Sequence, residues 1–366
     1  MKPGDRAVRI ELATSADRPA WDAFVAARPE GDPLQLWAWG DVRDPDGEHP
    51  VRLMALGPDR RIRGVASLLV RATSFDRTVG YVPHGPLWER EAPDADEILG
   101  GLLDGLRSEG RRRRAIVVKI DPRAVVPDDG SRIAARLRDL GLRAAQHDLQ
   151  APRTAILDLL DGADALWKTW DPAARNQARR AVREGVEVVV HREFDASVKA
   201  FHGILRSTGE RGDFRIQPLG HFERMASTLA AVDGWYLAVA SHEGHPISGA
   251  VFVRVGDRSF YLYGASLRDP EYRTKYGSNA VMAEGMRVLA GTGATSLDLW
   301  GVADSDDPGA DPAWAGFSAF KRQFGGTPIR HPGTFDIVVS RLWDTVRSLR
   351  EGAKDRSVRQ AAAGRR

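Results

Sequence analysis

The sequence predicts a mixed α/β (α+β) fold in which one module is built twice, and three observations predict it. A weak internal repeat recurs at an offset of about 180 residues. Strand-like alternating segments are interleaved with segments whose apolar residues follow helical spacing. At 366 residues the chain also exceeds the usual size of one core, so two domains are the prior expectation.

The repeat can be followed element by element. "WDAFVAA" (21–27) and "VKAFHGI" (198–204) open the two copies as helices. "IRGVASLLVR" (62–71) then answers to "ISGAVFVRV" (247–255), each a glycine-containing turn followed by an alternating strand. Short charged turns lead into aromatic strands that end in glycine, "VGYVPHGP" (79–86) and "FYLYGAS" (260–266). A helix follows in each copy, "ADEILGGLLDGLRSEG" (95–110) and "SNAVMAEGMRVLAGTG" (278–293). A buried strand closes each copy, "AIVVKIDP" (115–122) and "TSLDLWGV" (295–302). This order of helix, two antiparallel strands, helix and strand resembles an acyltransferase fold of the GNAT type.

Between the copies, "TAILDL" reads as a strand and "GADALWKTW" as a short helix. Asp171 is placed to cap the next helix, with Pro172 at its first position, and that helix runs to Gly185 before the strand "VEVVVH". Ala174, Ala178, Ala181 and Val182 form its apolar stripe, which leaves Arg175, Arg179, Arg180 and Arg183 on the other side. At the C-terminal end, "DIVVSRLWDTVRSLREG" reads as a strand and a helix ahead of a basic tail.

Cysteine is absent, which excludes disulfides and thiolate metal sites and suits a reducing compartment. The first residues hold no apolar core of signal-peptide type, and no uncharged apolar run reaches the roughly 18 residues of a membrane span. A soluble, cytoplasmic protein is expected. The formal charge is only +3, yet arginines cluster at 111–114, at 175–183 and in the tail. Such clusters serve either as a phosphate-binding face or as plain solvated surface.

Common catalytic signatures are missing: there is no GxSxG elbow, no HExxH and no Walker loop. "GTGATS" (291–296) follows a helix and precedes a strand, the reverse of a dinucleotide loop. "HEGH" (242–245) reads as a hairpin turn, and "DSDDPGAD" (304–311) lacks EF-hand spacing, so no metal site is expected. A coenzyme A pyrophosphate would need a glycine-rich turn at a helix N-terminus. "RTKYGSNA" (273–280) keeps Gly277 but sets bulky Tyr276 and Asn279 beside it, and the matching "LWEREAPDAD" of the first copy has no glycine. The pattern gives coenzyme A little support, and no cofactor is expected.

Several segments, in order, resemble the Fem family (FemABX), the aminoacyl-tRNA-dependent peptidyltransferases that build peptidoglycan cross-bridges. They are "LQLWAWGDVR" (34–43), "GYVPHGPLW" (80–88), "QAPRTAILDL" (150–159), "RNQARRAVREGVEV" (175–188), "STGERGDF" (207–214), "YLYGAS" (261–266), "YGSNAVM" (276–282), "LDLWG" (297–301) and "GFSAFKRQFGG" (316–326). Each is weak alone; their collinearity over residues 34–326 carries the resemblance. It implies two GNAT-like domains, 1–150 plus 323–366 and 151–322, and, from the short stretch between Arg211 and Trp235, the subgroup without a helical arm.

The implied chemistry is amide formation: an amine on a peptidoglycan precursor attacks the ester carbonyl of an aminoacyl-tRNA. That ester is already activated, so positioning and oxyanion stabilisation suffice and no nucleophilic serine or cysteine is needed. By resemblance, Lys321 lies beside the tRNA 3′ end, with Phe320 and Phe324 walling the site and stacking on the terminal adenine. Arg43 and Arg211 would face the precursor's pyrophosphate from the two modules. Trp39, Tyr81, Thr208 and Tyr263 would line the peptide channel, while Arg175, Arg179 and Arg180 would follow the acceptor-stem phosphates. The implied partners are aminoacyl-tRNA and a nucleotide- or lipid-linked precursor, with peripheral contact at the inner leaflet. Asp121 and Asp298 end equivalent buried strands, and either one, the substrate itself or water could serve as the general base. Three rival readings stay open on sequence alone: a natural-product acceptor, an acyl-CoA N-acyltransferase, and a non-catalytic nucleic-acid binder.

Overall fold

A computed structural model describes residues 8–212, 215–302 and 315–347, without the side chains of 211, 212 and 315. The acidic loop at 304–311 and the basic tail lie outside the described residues. The first half contains β1 (Arg9–Leu12), α1 (Arg18–Ala27), α2 (Trp37–Arg43), β2 (Glu48–Leu56), β3 (Ile62–Thr73), β4 (Arg77–Val82), β5 (Leu87–Trp88), α3 (Ala95–Arg112), β6 (Ala115–Ile120), α4 (Asp129–Asp139) and β7 (Arg143–Ala144). The second half begins with β8 (Arg153–Asp158), α5 (Gly162–Thr169), α6 (Pro172–Arg183), β9 (Val186–His191), α7 (Ser197–Gly212), α8 (Leu219–Ala230) and β10 (Trp235–His242). It continues with β11 (His245–Val255), β12 (Arg258–Ser266), α9 (Pro270–Arg273), α10 (Gly277–Gly291), β13 (Ser296–Asp298) and α11 (Ala315–Arg322). The chain then forms β14 (Thr327–Arg330), β15 (Phe335–Val338) and a helical run at 341–347.

The sequence repeat becomes a repeat of pairing. In the first sheet β2, β3 and β4 are successive antiparallel neighbours, and β4 then runs parallel to β6 across α3. In the second sheet β10, β11 and β12 do the same, and β12 runs parallel to β13 across α10. A parallel pair needs a crossover longer than a hairpin turn, and α3 and α10 supply it. The full orders are β1-β2-β3-β4-β6-β15-β7, with β5 on β3, and β14-β8-β13-β12-β11-β10-β9. The C-terminal segment divides between them: β14 joins the second sheet on β8, and β15 joins the first between β6 and β7.

Three cores result. One lies under α3 and α4 on the first sheet, around Leu102, Leu106 and Ile133. Another lies under α5, α6 and α10 on the second, around Trp170, Ala178 and Met286. The third belongs to both halves, joining Trp21, Trp37 and Trp39 to Phe201, Phe222 and Trp235. The helix α8 puts Phe222, Met225 and Leu229 into this shared core rather than projecting from it. A common apolar layer of this kind holds the two sheets in one register.

Two local expectations shift. Asp171 precedes α6, but its carbonyl rather than its side chain accepts the first helical bond, from Arg175 N–H. In the stripe of α6, Ala174, Ala178 and Ala181 are buried while Val182 is 67% exposed. Val182 stands i+8 from Ala174, about 80° around the helix, where the stripe has already turned off the sheet.

Candidate functional site

The site follows from where the parallel pairs end. The last paired residues are Val82 with Ile120 in the first sheet and Phe260 with Asp298 in the second. Beyond them the strands separate, and side chains from the splayed segments line a crevice, the usual ligand position at carboxyl ends of parallel strands. Here both crevices open toward the junction of the halves. A cleft of about 270 Å³ is lined there by Trp39, Arg43, Glu48, Tyr81, Gln150, Gln217, Tyr263 and Trp300, with Leu34, Leu69, Pro83 and Leu262. Four of the sequence-predicted residues, Trp39, Arg43, Tyr81 and Tyr263, thus share one opening.

Each is held firmly. Trp39 sits edge-on to His221 at 6.2 Å, and Tyr263 edge-on to Phe222 at 5.0 Å. Burial raises the Tyr263 phenol above its ordinary range, so it stays neutral. The Arg43 fork is engaged by both oxygens of Glu48, at 3.0 and 2.8 Å, with Asp46 3.6 Å away. Asp46 in turn accepts from His221 and from Arg224 of α8. Arg224 therefore brings a second cation close to Arg43 from the other half, a placement no motif announced. Thr208 is buried away from this lining and donates to the carbonyls of Ile204 (3.0 Å) and Ser266 (3.3 Å), fastening α7 to β12. The side chain of Arg211 lies outside the described residues.

Behind the cleft lies a buried ionic chain that the sequence did not advertise. Asp32, fully buried, bonds His84 and lies 3.6 Å from Arg123, which pairs with Asp298 across the domain junction. Asp298 also accepts from Thr154 and, at 2.7 Å, from the backbone N–H of Trp300. Trp300 takes a left-handed backbone (φ 58°), which costs a non-glycine residue about 1–3 kcal/mol and persists only where its surroundings enforce it. They do: besides Asp298, its carbonyl accepts from Thr154 at 3.1 Å, and its ring lies 4.8 Å from His84 and 6.1 Å from Phe260. His331, 5.8 Å from His84, is pushed well below the usual imidazole range by burial and by the Arg123 charge, so it is neutral there.

Lys321 stands one step from this wall. Its ammonium donates to the carbonyl of Gly301, next to Trp300, at 2.9 Å, and lies 5.3 Å from the Tyr261 ring centroid. Burial lowers its pKa to about 8, against the opposing pull of Asp298. An ammonium so tuned is still charged at neutral pH and gives up a proton easily, which suits it to a developing oxyanion or a leaving oxygen.

The glycines after Lys321 explain its fixity. Gly325 and Gly326 both have positive φ (80° and 101°), turning α11 into β14, and a Cβ on Gly326 would meet Leu157 at 2.8 Å. Phe324 is 0% exposed and packs on Trp170 at 4.5 Å and on Phe320 at 5.0 Å. Enclosed in this way, Phe324 offers no face to a nucleotide and instead anchors the helix end. Phe320 is half-buried.

The start of α6 is bolted to the same turn, Asp171 N–H donating to Gln323 O at 2.8 Å and the Thr169 hydroxyl to Phe324 O at 3.2 Å. Arg175 is half-buried one turn along. Arg179 lies over the Trp167 ring at 5.5 Å, and Arg180 is paired with Glu184 at 2.6 Å and lies over Tyr276. Among the described residues no cluster of three or more carboxylate and imidazole groups is placed to hold a metal ion.

The likeness to known proteins agrees with this geometry. The FemAB family model matches residues 17–241 and 236–349. Lipid II:glycine glycyltransferases of Staphylococcus epidermidis and Staphylococcus saprophyticus are each 26% identical, over 87% and 88% of this chain and 91% of theirs. That of Staphylococcus aureus is 25% identical over 87% and 91%. The crystal structure of FemX superposes with a TM-score of 0.79 at 22% identity, over 92% of this chain and 99% of that one. A tandem GNAT protein from the clavulanic acid pathway superposes at 0.56 with 11% identity, over 91% and 99%. With the family model covering most of its length and the doubled fold in place, the chain belongs to the FemAB family.

Proposed function

We propose that this protein is an aminoacyltransferase that moves an amino acid from an aminoacyl-tRNA to an amine of a peptidoglycan precursor, lipid-linked or nucleotide-linked. The observation that carries the reading is the shared cleft: Trp39, Arg43 and Tyr81 from one half meet Tyr263 and Trp300 from the other. Trp300 also stands beside the carbonyl that holds Lys321. Relatives named as lipid II:glycine glycyltransferases over most of the chain point to the same substrate class.

In this reading the precursor's peptide lies among Trp39, Tyr81 and Tyr263, with Thr208 shaping the channel from behind. Its pyrophosphate is met by Arg43 and Arg211, with Arg224 close at hand. An arginine fork matches phosphate oxygens well once they displace part of its carboxylate pairing. The aminoacyl ester enters from the Lys321 side, its acceptor stem following Arg175, Arg179 and Arg180, with Phe320 at the wall. The amine attacks the ester carbonyl, and the Lys321 ammonium offsets charge on the tetrahedral oxygen and then protonates the departing ribose oxygen. Among the described residues no helix is long and apolar enough to cross a membrane. A lipid-linked acceptor would therefore be met peripherally at the inner leaflet, on the cytoplasmic side where charged tRNA is found.

The test is incubation with a pool of charged tRNAs and a UDP-linked pentapeptide or its lipid-linked form, read by mass spectrometry of the precursor. One amino-acid residue of added mass, lost on ribonuclease pretreatment of the tRNA, is the expected result. An unmodified precursor under every charged tRNA, or equal product with acetyl-CoA as donor, overturns the reading.

A further inference from the structure

We infer that the hairpin tip between β3 and β4, the end of α3 and the helical run at 341–347 form one basic face with apolar tips, which docks on an anionic bilayer. The inference rests on the aminoacyl transfer proposed above, with the lipid-linked form as acceptor. Among the described residues no helix is able to cross a membrane, so such an acceptor has to be reached from the bilayer surface.

Three segments distant in sequence meet at this face. The Phe75 ring of the hairpin lies 5.8 Å from that of Trp343, and the Arg77 guanidinium lies over the Trp343 ring at 4.9 Å. Arg114 pairs with Asp76, and the Thr78 hydroxyl donates to the Arg113 carbonyl at 2.8 Å. The Ser340 N–H donates to Ile116 O at 3.1 Å, which seats the start of the C-terminal run against β6.

The face is apolar where it protrudes. Phe75 is 64% exposed and Leu342 is 73% exposed. Phe75 and Asp76 both take left-handed backbones (φ 63° and 51°), a conformation that short turns ordinarily give to glycine or asparagine. A phenylalanine there strains the turn while adding little to any core, a cost that folding alone does not explain.

Around these tips the charge is one-sided. Arg71, Arg77, the run Arg111–Arg114 and Arg341 set seven guanidinia against two carboxylates, Asp76 and Glu109. Asp336 and Asp344 nearby are buried and tied to Lys119, Arg143 and Arg347. Residues 348–366, which follow directly in the sequence, carry six Lys or Arg against two acids. Apolar tips and a tryptophan ringed by arginines suit a bilayer surface, where rings sit among headgroups and guanidinia meet anionic phosphates. A track for RNA phosphates would use the arginines alone, so the protruding Phe75 and Leu342 favour the bilayer.

Strand register relates this face to the cleft. Tyr81 is level with Leu69, and Glu48, which holds Arg43, is level with Arg71. From Arg71 the ladder continues two residues, about 7 Å, to Thr73 and the tip. The Arg43 end of the cleft is thus the end nearer the hairpin. A precursor with its pyrophosphate at Arg43 and its peptide toward Trp300 leads its lipid out on the side where Phe75 and Leu342 enter the leaflet.

The test pellets the full chain with sucrose-loaded vesicles of phosphatidylcholine, alone or mixed with phosphatidylglycerol. The wild type is expected to pellet with the anionic vesicles only, and less as salt is raised. Phe75→Ser combined with Leu342→Ser, which keeps every charge, should weaken that binding about tenfold. Arg111→Gln, Arg112→Gln and Arg341→Gln together should weaken it about 10²-fold, at about fivefold for each basic residue. Both variants should melt with the wild type, keep its transfer to a soluble UDP-linked precursor, and lose transfer to the lipid-linked form in vesicles. Absence of wild-type pelleting, equal pelleting with neutral vesicles, or variants that pellet like the wild type overturn the inference. An equal loss of transfer on both precursors also overturns it, as does weakened binding of charged tRNA with vesicle binding unchanged, which would assign the arginines to RNA. If the wild type pellets as expected but transfers to neither precursor, the proposed function falls and the docking face stands.

Discussion

Asp121 and Asp298 end corresponding strands of the two halves, yet their surroundings differ sharply. Asp298 is bonded by Arg123, Thr154 and the Trp300 backbone, three donors that fix its position across the domain junction. Asp121 is bonded by one backbone N–H and one phenol, has no bonded cation among the described residues, and is raised to about 7. A duplicated module has thus put one carboxylate to two uses, as an electrostatic bolt and as a site of variable protonation. Partner chemistry alone separates them: a guanidinium stabilises the charged form, whereas burial with only neutral donors penalises it.

Four measurements put that contrast at risk. Removing the bolt should have the largest effect. Arg123→Met strands Asp298 and Asp32 in the interior, and the loss of one partner of a buried ion pair costs about 3–5 kcal/mol, read as a lower denaturation midpoint. A stability within about 1 kcal/mol of wild type would show that Asp298 does not depend on the guanidinium. Next comes Lys321→Ala, expected to lower transfer by about 10²–10³-fold while the melting temperature holds, because the ammonium acts on charge that develops during reaction.

Third is the pH profile. Transfer should rise through about 7 as Asp121 ionises and fall through about 8 as Lys321 loses its charge, and Lys321→Arg should move only the alkaline limb upward. The same Asp121 shift has a stability signature of opposite sense to a salt-bridged carboxylate. Its folded pKa lies above its ordinary value of 3.8, so the folded state holds the extra proton and this contribution to stability declines as pH rises from about 4 to 7. The smallest effect is expected for Arg175→Ala: a few-fold weaker tRNA binding and a salt slope shallower by about 0.7–0.9 for each phosphate no longer neutralised.

Much of the architecture was legible in the sequence because it rests on local signals. The repeat of glycine turn, aromatic strand and helix appears as β3, β4 and α3, then again as β11, β12 and α10, and "WDAFVAA" and "VKAFHGI" fall on α1 and α7. The cleft residues were legible only through family motifs. Trp39 and Arg43 share one face of α2 at i,i+4 spacing, but Tyr81 and Tyr263 are far from them and from each other in the chain, and nothing in that spacing says that they converge. Of the ionic chain Asp32–His84–Arg123–Asp298 only Asp298 was singled out in the sequence, as the end of a buried strand; the chain itself depends on which loops meet across the junction. Phe324 illustrates the converse: its motif suggested contact with ligand, but burial against Trp170 makes it a prop for the helix that carries Lys321.

The return of β15 to the first sheet has a consequence for biosynthesis. The edge of β6 stays unpaired on that side until Phe335–Val338 arrive, more than two hundred residues later, whereas β8 to β14 need nothing downstream of Arg330. On the ribosome, where N-terminal units ordinarily mature first, this molecule should finish its second sheet before its first. A nascent chain stalled before residue 335 would hold an open strand edge, exposed to mispairing until translation ends.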